Sequence, residues 1–545
     1  MKSLSLAAVA AATFFSTLEA QTLVPLVTEG DSVPGVGLVT SIANIAINDA
    51  GDWRVEADTD NAVTTSDSVL LLNGALELRE GQTLVGPIQL GSFDSVNVPF
   101  DVTGGWNFFL DGTTGSSDDS GIFHGTNMLI QEGGTTIAPT LDPTATYLGW
   151  FETKAQPGVI LMMSSLDDPT IIGSGTVDRV LLKAFHDGAG TLLSEQVVVA
   201  EDQLLPGQTE LVVDLETGPH NFAMNASGAV MFIADLAGDT TLDHAVYIDS
   251  TLLAQEGSPS PVVGRNWSSL SLAEVDLNDA GDFVISGSLD GDTTSNLLIE
   301  KSGTKFRQEG DSLPDIAPFQ LTSFGSGPVH IANNGDVLWY GDWDDPDTTR
   351  DTGLFINDTL IVQEGVTLLN GAPITTLRGV QDGFFLSRNG RFVMFECVQG
   401  SNDVAVLIDR GGFLDLPSCV PNAGSLAHTA GVPAIGQSFQ MTFDNGLGAG
   451  SVPLLAASNA PIFTFPPCGA TLAIGELMIA VGAPNPIVLE SAPLWFPGSP
   501  SSLVLVLPND PGLIGREFWV QGVFANGAVT PSLGLTNAFV LTIGE

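Results

Sequence analysis

Apolar residues along this chain come in short runs, each cut off by Gly, Asn, Asp or Pro, and no stretch holds a helical stripe. Such a pattern predicts many short strands joined by tight turns. Three kinds of break recur in a fixed order. One is a turn inside AINDAGDWRVEA, MNASGAVMFIA, LNDAGDFVISG, IANNGDVLWYG and LSRNGRFVMFE, with weaker copies in VTGGWNFFL and AQPGVILMM. Asn and Asp tolerate left-handed backbone and Gly adopts it freely, so N-x-x-G between apolar runs predicts a hairpin turn. A second break is the short hairpin in VLLLNGALELREG, AVYIDSTLLAQEG and GLFINDTLIVQEG. The third is the Glu-Gly that follows it.

Glu-Gly sets the period. Its glutamates stand at 29, 80, 132, 256, 309 and 364, and a degenerate copy, VVVAED, puts Glu201 in the same phase. Successive spacings are 51, 52, 69, 55, 53 and 55 residues. Each unit reads strand, N-x-x-G turn, strand, Asp/Thr-rich loop, strand, hairpin, strand and crossover. Four strands in about 50 residues is the arithmetic of a propeller blade. The expected fold is therefore all-β: a seven-bladed β-propeller of four-stranded blades over residues 21–415. From 416 to 545 the Glu-Gly mark is gone, and runs such as GQSFQMTFDN, SSLVLVLPND and NAFVLTIG predict a small C-terminal β-sandwich.

The in-phase repeat over residues 27–415 resembles that of secreted bacterial NxxGxxxF tandem-repeat proteins, which implies a propeller and supplies no catalytic residues. The tail from LPNDPGLIGREFWV onward resembles an accessory domain common to exported proteins of environmental bacteria, which implies a role in secretion or surface attachment.

Composition sharpens this picture in three ways. Lys2 followed by LSLAAVAAATFFSTL predicts a signal peptide over residues 1–20 and a secreted or cell-surface protein. No later apolar run is long enough for a membrane-spanning helix. A net charge of −47 repels phosphate backbones and argues against nucleic-acid partners, leaving a polysaccharide or protein as the expected ligand. Only three cysteines are present, at 397, 419 and 468, with Cys419–Cys468 the first choice for one disulfide.

Alternating loops put the Asp/Thr loops and the Glu-Gly crossovers on one face of the array, which makes that face acidic. Calcium is the cofactor such a face suggests, and the densest cluster is GDWDDPDTTRD, with Asp342, Asp344, Asp345 and Asp347 as metal ligands. The competing reading is that Asp and Thr are ordinary turn formers. Trp343 within that cluster is the expected exposed ligand contact, whereas Trp53, Trp106 and Trp339 read as packing residues. The repeated Glu is read as a cap on backbone NH groups at the same place in every unit. Single scattered histidines, with no HExxH, GxSxG or SxDxGxTW motif, point to a non-catalytic protein. The alternative is a carbohydrate-active enzyme drawing a carboxylate pair from the acidic face.

Overall fold

The computed structural model describes residues 23–544 apart from 86–87, 94–104, 111–116, 172–176, 272, 381, 417–421, 446–449, 461–468, 481–487, 509, 511–512, 514–515 and 527–532. The signal-peptide segment, Cys419 and Cys468 lie outside the described residues. What is described is all-β, with a single 3-10 turn at Pro314–Ile316. Among the described residues no helix is long and apolar enough to cross a membrane.

Seven antiparallel sheets follow one another along the chain, over residues 32–79, 84–131, 146–200, 212–255, 267–308, 321–363 and 376–409. They are called sheets one to seven below. The strand Leu23–Thr28 does not join its sequence neighbours. It pairs with Asn402–Asp409 in sheet seven, from Leu23 opposite Ile408 to Thr28 opposite Val404.

Each sheet is covered on both faces by its neighbours, which explains why central strands such as VMFIADL are apolar throughout. In Val230–Leu236, Val230, Phe232 and Ala234 pack toward sheet three, while Met231 and Ile233 pack toward sheet five. The two-residue period of a strand thus feeds two separate cores. The same bridging runs between every consecutive pair of sheets. A seventh core joins sheet seven to sheet one through Phe392, Met394 and Val27 against Val55, Val69 and Leu71.

The chain leaves this array between Asp409 and Gly411, slightly before the boundary expected at 415, because Gly411–Leu416 already pairs with the C-terminal strand Leu533–Ile543. Beyond it, a five-stranded and a three-stranded sheet share one core. Leu426, Phe439, Met441 and Phe443 meet Leu455, Val520, Phe524 and Leu541 there.

Candidate functional site

Glu-Gly works as a joint. In all seven units the Glu N–H donates to the carbonyl of the residue that opens the neighbouring strand, at 2.9–3.1 Å: Glu80 to Ser68, Glu132 to Ser120, Glu201 to Arg179, Glu256 to His244, Glu309 to Leu297, Glu364 to Thr352 and Glu29 to Asp403. The next N–H donates into the opening segment of the following sheet at 2.7–2.8 Å, as from Gly30 to Val39 and Gly310 to Leu321. A residue in that position needs φ above zero. Gly365 has φ +68°, and in the degenerate copy Asp202 takes φ +61° in place of glycine. The Glu carboxylate accepts from the same opening residue, through N–H in Ser68, Arg179, His244 and Asp403 and through the hydroxyl in Ser120 and Thr352, at 2.6–3.5 Å. Asn296 and Leu297 play that part for Glu309. The repeated glutamate is a cap, and this use accounts for its repetition.

The Asp/Thr loops lie against these joints: a Cβ on Gly365 would sit 2.1 Å from the Thr349 carbonyl oxygen. Their aspartates are also framework. Asp60, Asp290 and Asp344 accept from Leu38, Asn266 and Gln320 N–H at 2.7–2.9 Å, tying each loop to the opening segment of its own sheet. Asp239, Asp292 and Asp347 accept from the N–H and hydroxyl of the threonine two residues on, the local turn that Asx residues favour.

The four aspartates expected to hold calcium do not converge. Asp342, half-buried, stands opposite Thr352 across the strand pair, and burial raises its pKa. Asp344 binds Gln320, and Asp345 accepts from Asp347 N–H while facing the Arg350 guanidinium at 3.1 Å. Asp347 binds Thr349. Trp343 is a correction. It is 2% exposed and edge-on to Phe355, with ring centroids 6.0 Å apart. The cause is strand parity: Val337, Trp339 and Trp343 share one face of Val337–Trp343 and enter the core between sheets five and six.

On the N-x-x-G side, turns bond to turns. Asn225 Nδ2 donates to the Asn278 carbonyl, Asn278 Nδ2 to that of Ala332, and Asn333 N–H to that of Arg388. Asn389 then reaches Asp49 of sheet one. Arg388 itself extends from sheet seven to the Met224 carbonyl, the Leu277 carbonyl and Asp276 Oδ1. Asp276 is buried, which would raise its pKa, but Arg388 and His330 reverse this and hold the carboxyl well below its ordinary value. His220 sits 3.3 Å from Asp382 and edge-on to His330; burial pulls it down to about 4, so it is neutral.

One cluster departs from the repeat. Among the described residues, Asp235, Asp243 and His244 are the group of His, Cys, Asp or Glu side chains whose ligating atoms all lie within 4.8 Å of one another. His244 opens the third long strand of sheet four, directly opposite Asp235. Its Nε2 is 3.0 Å from Glu216, and its Nδ1 is 3.1 Å from Asp243 and 3.5 Å from Glu256. The Glu216 hydrogen bond, opposed by burial and aided by the other acids, raises the imidazole to about 9. Sequence reasoning passed over this group because Asp235 and Glu216 come from other strands.

Residues 183–406 match a family of unknown function, DUF7453, a span of less than half the chain. No curated protein matches. Among solved structures, an Escherichia coli alpha-2-macroglobulin activated by porcine elastase aligns at 9% identity and a TM-score of 0.14. That alignment covers 97% of this chain and 41% of the other.

Proposed function

We propose that this chain is a non-catalytic extracellular binding or structural protein, a seven-bladed β-propeller that offers its acidic loop face to a polysaccharide or protein ligand. The propeller reading is supported by the cyclic order of seven sheets and by the first strand completing the last sheet. In this reading residues 1–20 direct export, and the C-terminal pair of sheets is a β-sandwich serving secretion or attachment.

The observation that carries the non-catalytic part is the use of the recurrent acids. The Glu-Gly glutamates cap strands and the loop aspartates close turns, so they are committed to the frame. A glycan and polysaccharide array on the chain from Gln21, run with calcium and with EDTA, tests it. Retention of a ligand without release of reducing ends is the expected outcome. Turnover of a retained polysaccharide would overturn it in favour of a carbohydrate-active enzyme.

A further inference from the structure

Seven copies of one frame give the molecule an internal standard. The position capped by the Glu-Gly glutamate is Ser68, Ser120, Arg179, Leu297, Thr352 and Asp403 in six units. In sheet four alone it is a histidine, and only there do its neighbours bring carboxylates to the ring. Asp235 faces His244 across the strand pair, Asp243 precedes it, and Glu216 reaches in from the strand side of Val212–Leu215. None of these three acids is needed for the joint, which Glu256 already makes as its counterparts do elsewhere.

A second observation points inward. Asp235 Oδ1 is enclosed by protein and accepts no hydrogen bond. An enclosed carboxylate oxygen without a donor is costly unless a cation meets it. Carboxylate oxygens of Glu216, Asp243 and Glu256 lie 3.0–3.5 Å from the two ring nitrogens, which gathers oxygen donors around one imidazole.

We propose that Asp235, Asp243 and His244 form a divalent metal site, with Zn2+ the fitting ion and a water the fourth ligand. One imidazole nitrogen with carboxylate oxygens suits zinc, which takes four ligands at about 2.0–2.2 Å. Calcium wants six or more oxygens and is disfavoured by the nitrogen donor. Glu216, 3.0 Å from Nε2, is then the outer partner that orients the ring, and Glu256, fixed by the Leu270 N–H on its Oε1 at 2.7 Å, packs beside it.

The test is Zn2+ titration of the metal-free full chain by calorimetry, with Co2+ absorption as a reporter of the ligand set. One saturable zinc site of micromolar affinity or better is expected. Asp235→Asn, which keeps shape and volume, weakens it about tenfold or more, and His244→Ala abolishes it and the visible Co2+ bands. Asp347→Asn, in an unrelated turn, leaves it unchanged. Thermal unfolding of each variant without metal separates a lost ligand from a lost fold. Absence of saturable Zn2+ binding overturns the proposal, as does binding that survives both substitutions or binding of Ca2+ with equal strength.

Discussion

The two ends of the repeated strands are held by opposite strategies. On the Glu-Gly side the joint is repeated: the same glutamate, the same N–H and the same crossover occur seven times, each local to one sheet and the next. On the N-x-x-G side the turns also touch their neighbours, but the decisive contacts occur once. Arg388 joins sheet seven to sheets four and five across separations of 164 and 112 residues. His220 meets Asp382, and Arg410 meets Asp336, in the same unrepeated way. Repetition builds the array, and single long-range contacts fix how its members sit.

This contrast breaks most visibly at Arg388. Arg388→Ala leaves the buried Asp276 carboxylate with His330 and the Ile331 and Leu277 N–H groups as its remaining partners, and is expected to cost about 3 kcal/mol. Denaturant unfolding measures it, and a loss under about 1 kcal/mol, the scale of a surface ion pair, would show that the pin is ornamental.

A smaller effect sharpens the repeated side. Gly30 and Gly365 occupy equivalent joints, with φ of +94° and +68°. A Cβ on Gly30 meets nothing within 4 Å, whereas on Gly365 it lies 2.1 Å from the Thr349 oxygen. Gly30→Ala should therefore cost only the left-handed penalty of about 1–2 kcal/mol, and Gly365→Ala clearly more. Equal melting temperatures for the two variants would contradict the assigned loop contact.

A further effect concerns pH. Burial pushes Glu300 up to about 7 and Glu396 up to about 8, the latter despite the Arg378 guanidinium beside it. A folded-state pKa above the unfolded value stabilises at low pH. This contribution is complete below about 4.5 and is lost as pH rises through 7 to 8. The melting temperature should fall between pH 5 and pH 8, and Glu300→Gln should flatten that fall. A rise over the same window would be inconsistent with both carboxyls being held protonated.

Much of the frame was legible in the sequence because it is periodic. Glu-Gly, N-x-x-G and the Asp/Thr loops each carry a local mechanism, so their phase alone places strands and turns. The degenerate VVVAED could be aligned for the same reason, and Asp202 takes the conformation of the missing glycine. What escaped was anything that depends on which face of a strand is covered. The acidic neighbours of Trp343 suggest exposure, yet it shares parity with Trp339 and is buried with it. Its neighbours Asp342 and Asp344 lie on the other parity and gave the misleading impression. The His244 cluster escaped for a related reason. Asp235 and Glu216 are 9 and 28 residues from His244 in sequence, and only the strand register brings them to its ring.

The pairing of Leu23–Thr28 with Asn402–Asp409 has a kinetic consequence. A strand made first must wait for one made almost four hundred residues later, the most non-local contact in the repeated region. Loop-closure entropy places such a contact late in folding. Until it forms, sheet seven keeps an open edge and the apolar side chains of sheet one lack Phe392 and Met394. The molecule is therefore most open to proteases and to strand exchange with other copies during the interval before its two ends meet.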